Sequence, residues 1–423
     1  MLVLFIHQNF PGQFLHLAPE FARRGHRVVA LVPAERAAAV AGPLAQRGVE
    51  VEPYELARGS TPGVHRWIAD FETKVIRGEA CFRAALALRA RGLVPDVVVA
   101  HPGWGESLML REVWPSARIG LYCEFHYSPR GLDVGFDPEF AAADPGDACR
   151  VRLMNLNATV QLGMADAGLS PTRWQADTFP PPLRAKISVA HDGIDTDVLA
   201  PDVSAAVNLS LPDGRALRLT REDEVVTFVN RNLEPYRGYH VFMRALPELL
   251  ARRPRAQVVL VGGDASSYGP PPDPARWGAR SWRQIFAEEV RPRIADSDWP
   301  RVHFVGRVPH AVLTALMRIT SAHVYLTYPF VLSWSLIEAM SVGCPIVGSD
   351  TGPVREVIED GRNGVLVDFF DARALAARTA ALLDDADARR RFGERAREDA
   401  RERYDLRRVC LPAQLRWVEA LAG

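Results

Sequence analysis

Short uninterrupted hydrophobic runs alternate along this chain with longer stretches in which apolar residues recur every three or four positions. An apolar run bounded by polar residues fits a strand buried on both faces, and the longer repeat fits a helix with one face against it. In the first half the pattern predicts strands at 2–6, 28–32, 96–100, 117–122, 168–170 and 187–190, with helices at 13–24, within 64–91, near 107–113 and at 157–167. Residues 201–224 mix Asp, Ser, Pro and Arg without sustained period and read as connecting structure. A second series follows, with strands at 225–229, 257–261, 302–305, 323–328 and from Ile346, and helices at 239–252, 282–293 and 333–342. Strands that alternate with helices in this way imply parallel sheets covered by helices, the α/β class.

At 423 residues the chain is long for one domain and comfortable for two of about 200 residues each. The expected layout is an N-terminal domain over 1–198, a second over 199–405, and a final amphipathic helix within 406–423. Lys plus Arg and Asp plus Glu balance at 51 each, so no global field attracts nucleic acid and any anion site must be local. Cys81, Cys123, Cys149, Cys344 and Cys410 are scattered, with no paired zinc spacing, which points to a reducing compartment. The apolar start is six residues long without a charged leader and reads as a first strand, not a signal peptide. With no apolar run long enough to span a bilayer, the expectation is a cytoplasmic protein, with peripheral membrane contact left open. Residues 389–408 carry both charge signs, and Glu394, Glu398 and Glu402 fall among arginines at helical spacing, so a solvated helix is expected.

Candidate chemistry concentrates in 322–367, which reads strand, loop, helix, strand, Gly-rich turn, helix. The helix from Ser333 should aim its positive end at the preceding loop, offering the N–H groups of Ser333, Trp334 and Ser335 to anionic oxygens. Glu338, one turn later, suits a pair of hydroxyl donors such as a ribose diol. Ser335-Leu-Ile-Glu338 equally fits a capping box, in which Glu338 would only tie down a backbone N–H. Upstream, the strand at 225–229 runs into a stretch carrying Arg231, Arg237 and Gly238, two cations at a carboxyl edge where an open α/β sheet takes a diphosphate. Surface arginines without a role are the plainer alternative. In the first half, His7-Gln-Asn-Phe-Pro-Gly12-Gln13 follows the first strand, with Gly12 letting backbone approach a ligand, His101 follows the strand at 96–100, and Glu124 and His126 follow the next. Three polar strand ends on one rim make His101 the first candidate and His126 the second. No G-x-G-x-x-G dinucleotide fingerprint is present.

These residues bring a family into view. Glu338-Ala-Met-Ser-Val-Gly-Cys-Pro-Ile-Val resembles the second half of the motif of the retaining nucleotide-sugar glycosyltransferases of family 4, group 1. Arg231 and Arg237-Gly238 stand where that family has an Arg and usually Lys-Gly, and His303-Phe-Val-Gly306-Arg-Val308 resembles its strand and Gly turn. The first half departs, because Phe330, eight residues before Glu338, occupies the place of a family Glu that contacts donor-sugar hydroxyls. The resemblance implies two Rossmann-like domains (GT-B) with an interdomain cleft and a C-terminal helix crossing back to the first domain. It implies a UDP- or GDP-sugar donor and a hydroxyl-bearing acceptor, with no separate cofactor. By it, Glu338 binds ribose, Arg231 and Arg237 the diphosphate, Ser333, Trp334 and Ser335 offer the helix start, the backbone at Gly306 and Val308 the base, and His101 and Gly12 face the sugar. Asp195-Thr-Asp197 has a metal-binding form, but resembles the family's interdomain stretch, so no essential metal is expected. A degenerate subunit, suggested by Phe330, and a sugar-nucleotide epimerase are the alternatives.

Overall fold

The structure is a computed structural model that describes residues 1–141, 144–211, 214 and 216–423. It divides into two compact units, Met1–Gly193 with Leu406–Gly423, and Ile194–Asp405. No helix among the described residues is long and apolar enough to cross a membrane.

Unit 1 is built on a seven-stranded parallel sheet. Its strands are β1 (Leu2–Ile6), β2 (Arg27–Pro33), β3 (Val49–Tyr54), β4 (Val97–Ala100), β5 (Arg118–Tyr122), β6 (Ala167–Ser170) and β7 (Ile187–Val189). The spatial order is β3-β2-β1-β4-β5-β6-β7. Alternate residues of β1 face opposite layers, as a pleated strand requires. Val3 and Phe5 pack with Phe14, Phe21, Leu415, Val418 and Leu421, so the closing helix Leu411–Ala422 covers this face. Leu4 and Ile6 pack with Cys81, Ala85, Leu88 and Trp114 on the other. Each such side chain removed from water contributes about 1.5–3 kcal/mol.

Unit 2 carries β10 (Val225–Asn232), β11 (Gln257–Gly263), β12 (Val302–Gly306), β13 (Ala322–Tyr325), β14 (Ile346–Ser349) and β15 (Val365–Val367). They form a parallel sheet in the order β12-β11-β10-β13-β14-β15. Phe228 of β10 stacks on Phe242 of the helix Tyr239–Arg252 at 4.6 Å, while Leu336, Ile337 and Met340 pack on the opposite layer with Ala396 and Ala400.

Several local expectations change. The helix expected at 13–24 begins only at Leu17, and Gly12–Phe14 forms a separate tight turn after Pro11. The helix Ala34–Ala45 and strand β3, masked in the sequence by alanines and by alternating Glu, complete the sheet's far edge. The stretch at 201–224 holds an antiparallel hairpin, β8 (Ala206–Ser210) with β9 (Ala216–Thr220), in which alternate Val207, Leu209 and Leu219 are buried. The strand expected to reach 328 stops at Tyr325, and β10 runs on to Asn232.

Candidate functional site

In each sheet the strand order reverses once, between β1 and β4 in unit 1 and between β10 and β13 in unit 2. Connections leave in opposite directions there and open a crevice at the carboxyl ends, which is where open α/β sheets bind ligands.

At the unit 2 reversal, Arg231 lies near the end of β10, exposed and without an ion pair among the described residues. Arg237 differs from the expectation of a second presented cation. It is 3% exposed. Its guanidinium donates to Thr327 Oγ1 at 2.8 Å and the Val331 carbonyl at 3.1 Å, and lies 4.7 Å from the centre of the Tyr268 ring. Gly238 explains this. Its φ of +69° closes a tight turn, and a Cβ there would collide with Leu326, so the turn carrying Arg237 is pressed onto the segment after β13.

Neighbouring loops are tied to the same strand end. The buried Glu234 carboxylate accepts N–H bonds from Ser267 at 3.0 Å, Tyr268 at 3.3 Å and Gly269 at 3.4 Å, while burial holds its carboxyl above the usual range. Asn232 Oδ1 accepts from Arg307 at 2.9 Å, which fastens the Gly306 turn, itself at φ +66°, to β10. Val308 is half-buried against the core beyond that turn.

The helix Trp334–Ser341 starts behind Ser333. Ser333 Oγ accepts the Ser335 N–H at 3.3 Å, and the Ser333 N–H donates to the Tyr325 hydroxyl at 2.9 Å. Two of the three N–H groups expected to face an anion are therefore taken up within the protein. Trp334 is 40% exposed, and the helix dipole still points its positive end at this edge. The capping-box alternative for Glu338 falls away, because the Ser335 N–H is bonded by Ser333. Glu338 Oε1 instead meets His310 Nε2 at 3.0 Å, on the helix that follows the Gly306–Val308 turn. Phe330 is buried, edge-on to Tyr236 at 5.6 Å and Tyr268 at 5.3 Å.

At the unit 1 reversal, His7 directly follows β1 and His101 directly follows β4. His7 Nδ1 accepts the Asn9 N–H at 2.8 Å, so its proton lies on Nε2, which donates to Gln13 Oε1 at 2.7 Å. Burial, reinforced by His101, pulls the His7 pKa down to about 3, and the ring is neutral. Gly12, at φ +47°, passes so close that a Cβ would lie 2.6 Å from the His7 ring. His101 Nδ1 accepts the Gly103 N–H at 3.1 Å, which puts its proton on Nε2. That Nε2 is buried, has no hydrogen-bond partner, and lies 3.7 Å from Glu124 Oε2. Gln13 Nε2 donates to the other carboxylate oxygen at 3.3 Å. The His101 ring sits between Trp104 at 4.6 Å and Tyr122 at 5.5 Å, and the Tyr122 hydroxyl donates to Asp192 at 2.9 Å.

His126 lies apart from this group. Its ring packs on Phe179 at 5.5 Å, and its N–H donates to Thr178. Asp195 accepts the Val198 N–H at 3.3 Å, and Thr196 bonds the Asp405 carboxylate, so the D-x-D sequence makes a turn here. Sequence reasoning gave no role to His7, Gln13, Trp104, Glu234 or His310. A usable signal existed for one of them, since His7 is the first polar residue after a fully apolar strand. The others come into place only through loop packing.

Residues 24–199 match the family profile described as "Glycosyl transferase family 4 group", and residues 215–399 that of "Glycosyl transferases group 1". A phosphatidyl-myo-inositol mannosyltransferase of Mycolicibacterium smegmatis is 32% identical over 48% of this chain and 46% of its own length. A D-inositol 3-phosphate glycosyltransferase of Corynebacterium glutamicum is 31% identical over 51% of this chain and 48% of its own. The chain thus spans about half the length of these relatives. Among solved structures, Anabaena HepE in complex with UDP and glucose has a TM-score of 0.63 at 16% identity, covering 99% of this chain and 98% of its own. Sucrose-phosphate synthase of Thermosynechococcus elongatus has a TM-score of 0.69 at 17% identity, covering 100% and 99%.

Proposed function

Since the chain belongs to the family 4, group 1 glycosyltransferases, with matches that together reach from residue 24 to residue 399, we propose that it moves a sugar from a nucleoside diphosphate sugar to an acceptor hydroxyl. The observation that carries this is the unit 2 reversal, where an exposed Arg231, a helix start and Glu338 stand at the carboxyl edge of one sheet. In this reading Arg231 and the positive end of the Ser333–Trp334 helix start neutralise the diphosphate as the glycosidic bond breaks, which is stabilisation of charge where it develops. Ser335, whose N–H is already capped, helps to hold that start in shape. Glu338, steadied by His310, accepts the ribose hydroxyls, and the backbone at Gly306 and Val308 borders the base. Arg237 supports the diphosphate side indirectly by fixing Val331 and Thr327, which lead into the helix.

His101 and Gly12 shape the unit 1 edge that addresses the sugar. Transfer proceeds with retention and without a bound metal, the leaving phosphate taking the acceptor proton. The acceptor bears a hydroxyl, and the protein works in the cytoplasm with, at most, peripheral membrane contact. HepE was solved with UDP and glucose, which makes UDP the first base to test.

Isothermal titration of the full chain with UDP, GDP, ADP and dTDP, each with and without EDTA, tests this reading. Binding of one base, unchanged by the chelator, is the expected result, and ligand that binds the folded state also raises its melting temperature. Absence of binding by any of the four overturns the donor assignment.

A further inference from the structure

Arg237 is held by more than its own two hydrogen bonds. The Tyr268 ring, 37% exposed, lies against its guanidinium at 4.7 Å. Tyr268 belongs to the stretch 264–270, which follows β11 and has no helix or strand of its own. Connecting segments of this kind move unless they are tied down. At its start Asp264 accepts from the exposed Arg283 at 2.6 and 2.9 Å, and at its end the Pro270 carbonyl accepts from Trp282 Nε1 at 3.2 Å. Between them the turn 267–269 folds over the Glu234 carboxylate and gives it three successive N–H groups, while Asn232 donates to Ser267 Oγ. Gly269 permits this approach, because a Cβ there would lie 2.9 Å from the Tyr236 ring. Of these ties, only the middle one reaches the end of β10 and the turn that carries Arg237.

A buried carboxylate is a costly way to hold a turn, since an ion taken out of water loses its hydration. Glu234 is 1% exposed. Beyond the three bonds, its charge attracts Arg237. The chain of contacts continues from there. Arg237 donates to Thr327 Oγ1 and the Val331 carbonyl, and the Tyr328 N–H donates to the Tyr236 carbonyl at 3.0 Å. The segment held in this way leads into the helix start at Ser333. We propose that Glu234 is a positioning residue of this edge, which seats the turn 267–269 so that Tyr268 stays on Arg237 and Arg237 in turn sets 327–331 ahead of the Ser333 helix. Its effect on donor binding rests on the transferase reading, whereas the seating does not.

The test uses the full chain as wild type, Glu234→Ala, Glu234→Gln and Tyr268→Leu. Hydrogen exchange resolved by peptide is measured first, without ligand. Glu234→Ala should speed exchange about tenfold in peptides covering 264–270 and also in those covering 327–335, the size set by one or two lost hydrogen bonds. Glu234→Gln keeps an oxygen acceptor for the N–H groups and should return both regions to within about threefold of wild type. Tyr268→Leu, at a partly exposed position, should loosen 327–335 several-fold and leave the turn in place. UDP is then titrated below the melting transition. Glu234→Ala and Glu234→Gln have lost the same charge, so their difference reports the seating alone, and Glu234→Ala should bind UDP about tenfold more weakly. Faster exchange confined to 264–270 overturns the proposal, as does equal UDP affinity in the two variants. If Glu234→Ala does not fold, Tyr268→Leu decides, and unchanged exchange at 327–335 overturns the proposal. A wild type that binds no UDP counts against the donor assignment instead, and the exchange data still decide the seating.

Discussion

The two sheet reversals use one topological device for opposite electrostatics. In unit 2 the crevice presents Arg231 and a helix N-terminus, with Arg237 buried behind them. In unit 1 the equivalent crevice is floored by the imidazoles of His7 and His101, aromatic rings and one carboxylate. The fold supplies the opening in both cases, because strand order reverses between β10 and β13 as it does between β1 and β4. The side chains that happen to end those strands decide what the opening can hold. In the transferase reading proposed above, the unit 2 opening is the one that takes phosphate oxygens.

The sharpest way to break this contrast is to separate the two arginines of unit 2. Arg237→Ala removes two buried hydrogen bonds and leaves a cavity under Tyr268, and should cost about 3 kcal/mol of unit 2 stability along with activity. Arg231→Ala should leave the melting temperature unchanged and lower turnover about 100-fold, the usual size for one electrostatic donor. Calorimetric melting and single-turnover rates on both variants decide it, and equal melting losses would show that Arg231 is structural as well.

Acid should separate the units next. His7 and His191 in unit 1 have pKa values lowered to about 3 and about 4, and His323 in unit 2 to about 4, all chiefly by burial. A native state that cannot take up a proton is destabilised once the unfolded chain does, so the loss begins as pH falls below about 6.5 and grows until the folded pKa is reached. At pH 5 each histidine costs about 2 kcal/mol. With two such groups against one, unit 1 should open first. Hydrogen exchange resolved by peptide at pH 7 and pH 5 measures this, and earlier loss of protection in unit 2 would contradict it.

The smallest effect sharpens the role of Glu338. Glu338→Gln should weaken nucleotide binding about tenfold while barely changing stability, because its partner His310 is exposed and the helix is capped by Ser333 instead. Titration with the base that binds, set beside a melting curve, checks it. A melting shift with unchanged affinity would make the pairing structural.

Much of the site was legible before folding. Arg231 and His101 stand at or just after apolar runs, and such runs in an alternating α/β pattern must become buried parallel strands, while Gly12 lies in the turn after the first run and Glu338 one turn into a helix. Arg237 was legible as a position but not as an environment. Nothing in Arg-Gly says that the turn closes onto Leu326 and spends the guanidinium on Thr327 and Val331. The serines show the same limit, since spacing made both Ser333 and Ser335 helix-start residues and could not tell which N–H would be taken up by Tyr325 from the preceding strand.

The sequence alone determined the class of fold, the family, and which strand ends carry polar chemistry, because hydrophobic period and short motifs are local properties written along the chain. Tertiary structure alone decided which of those polar groups face outward, which are consumed, and which distant residues join them. Trp104, Gln13 and Glu124 meet around His101 through loops up to 111 residues apart. That meeting depends on strand order and on the space that close packing leaves, and neither is a property of any one segment.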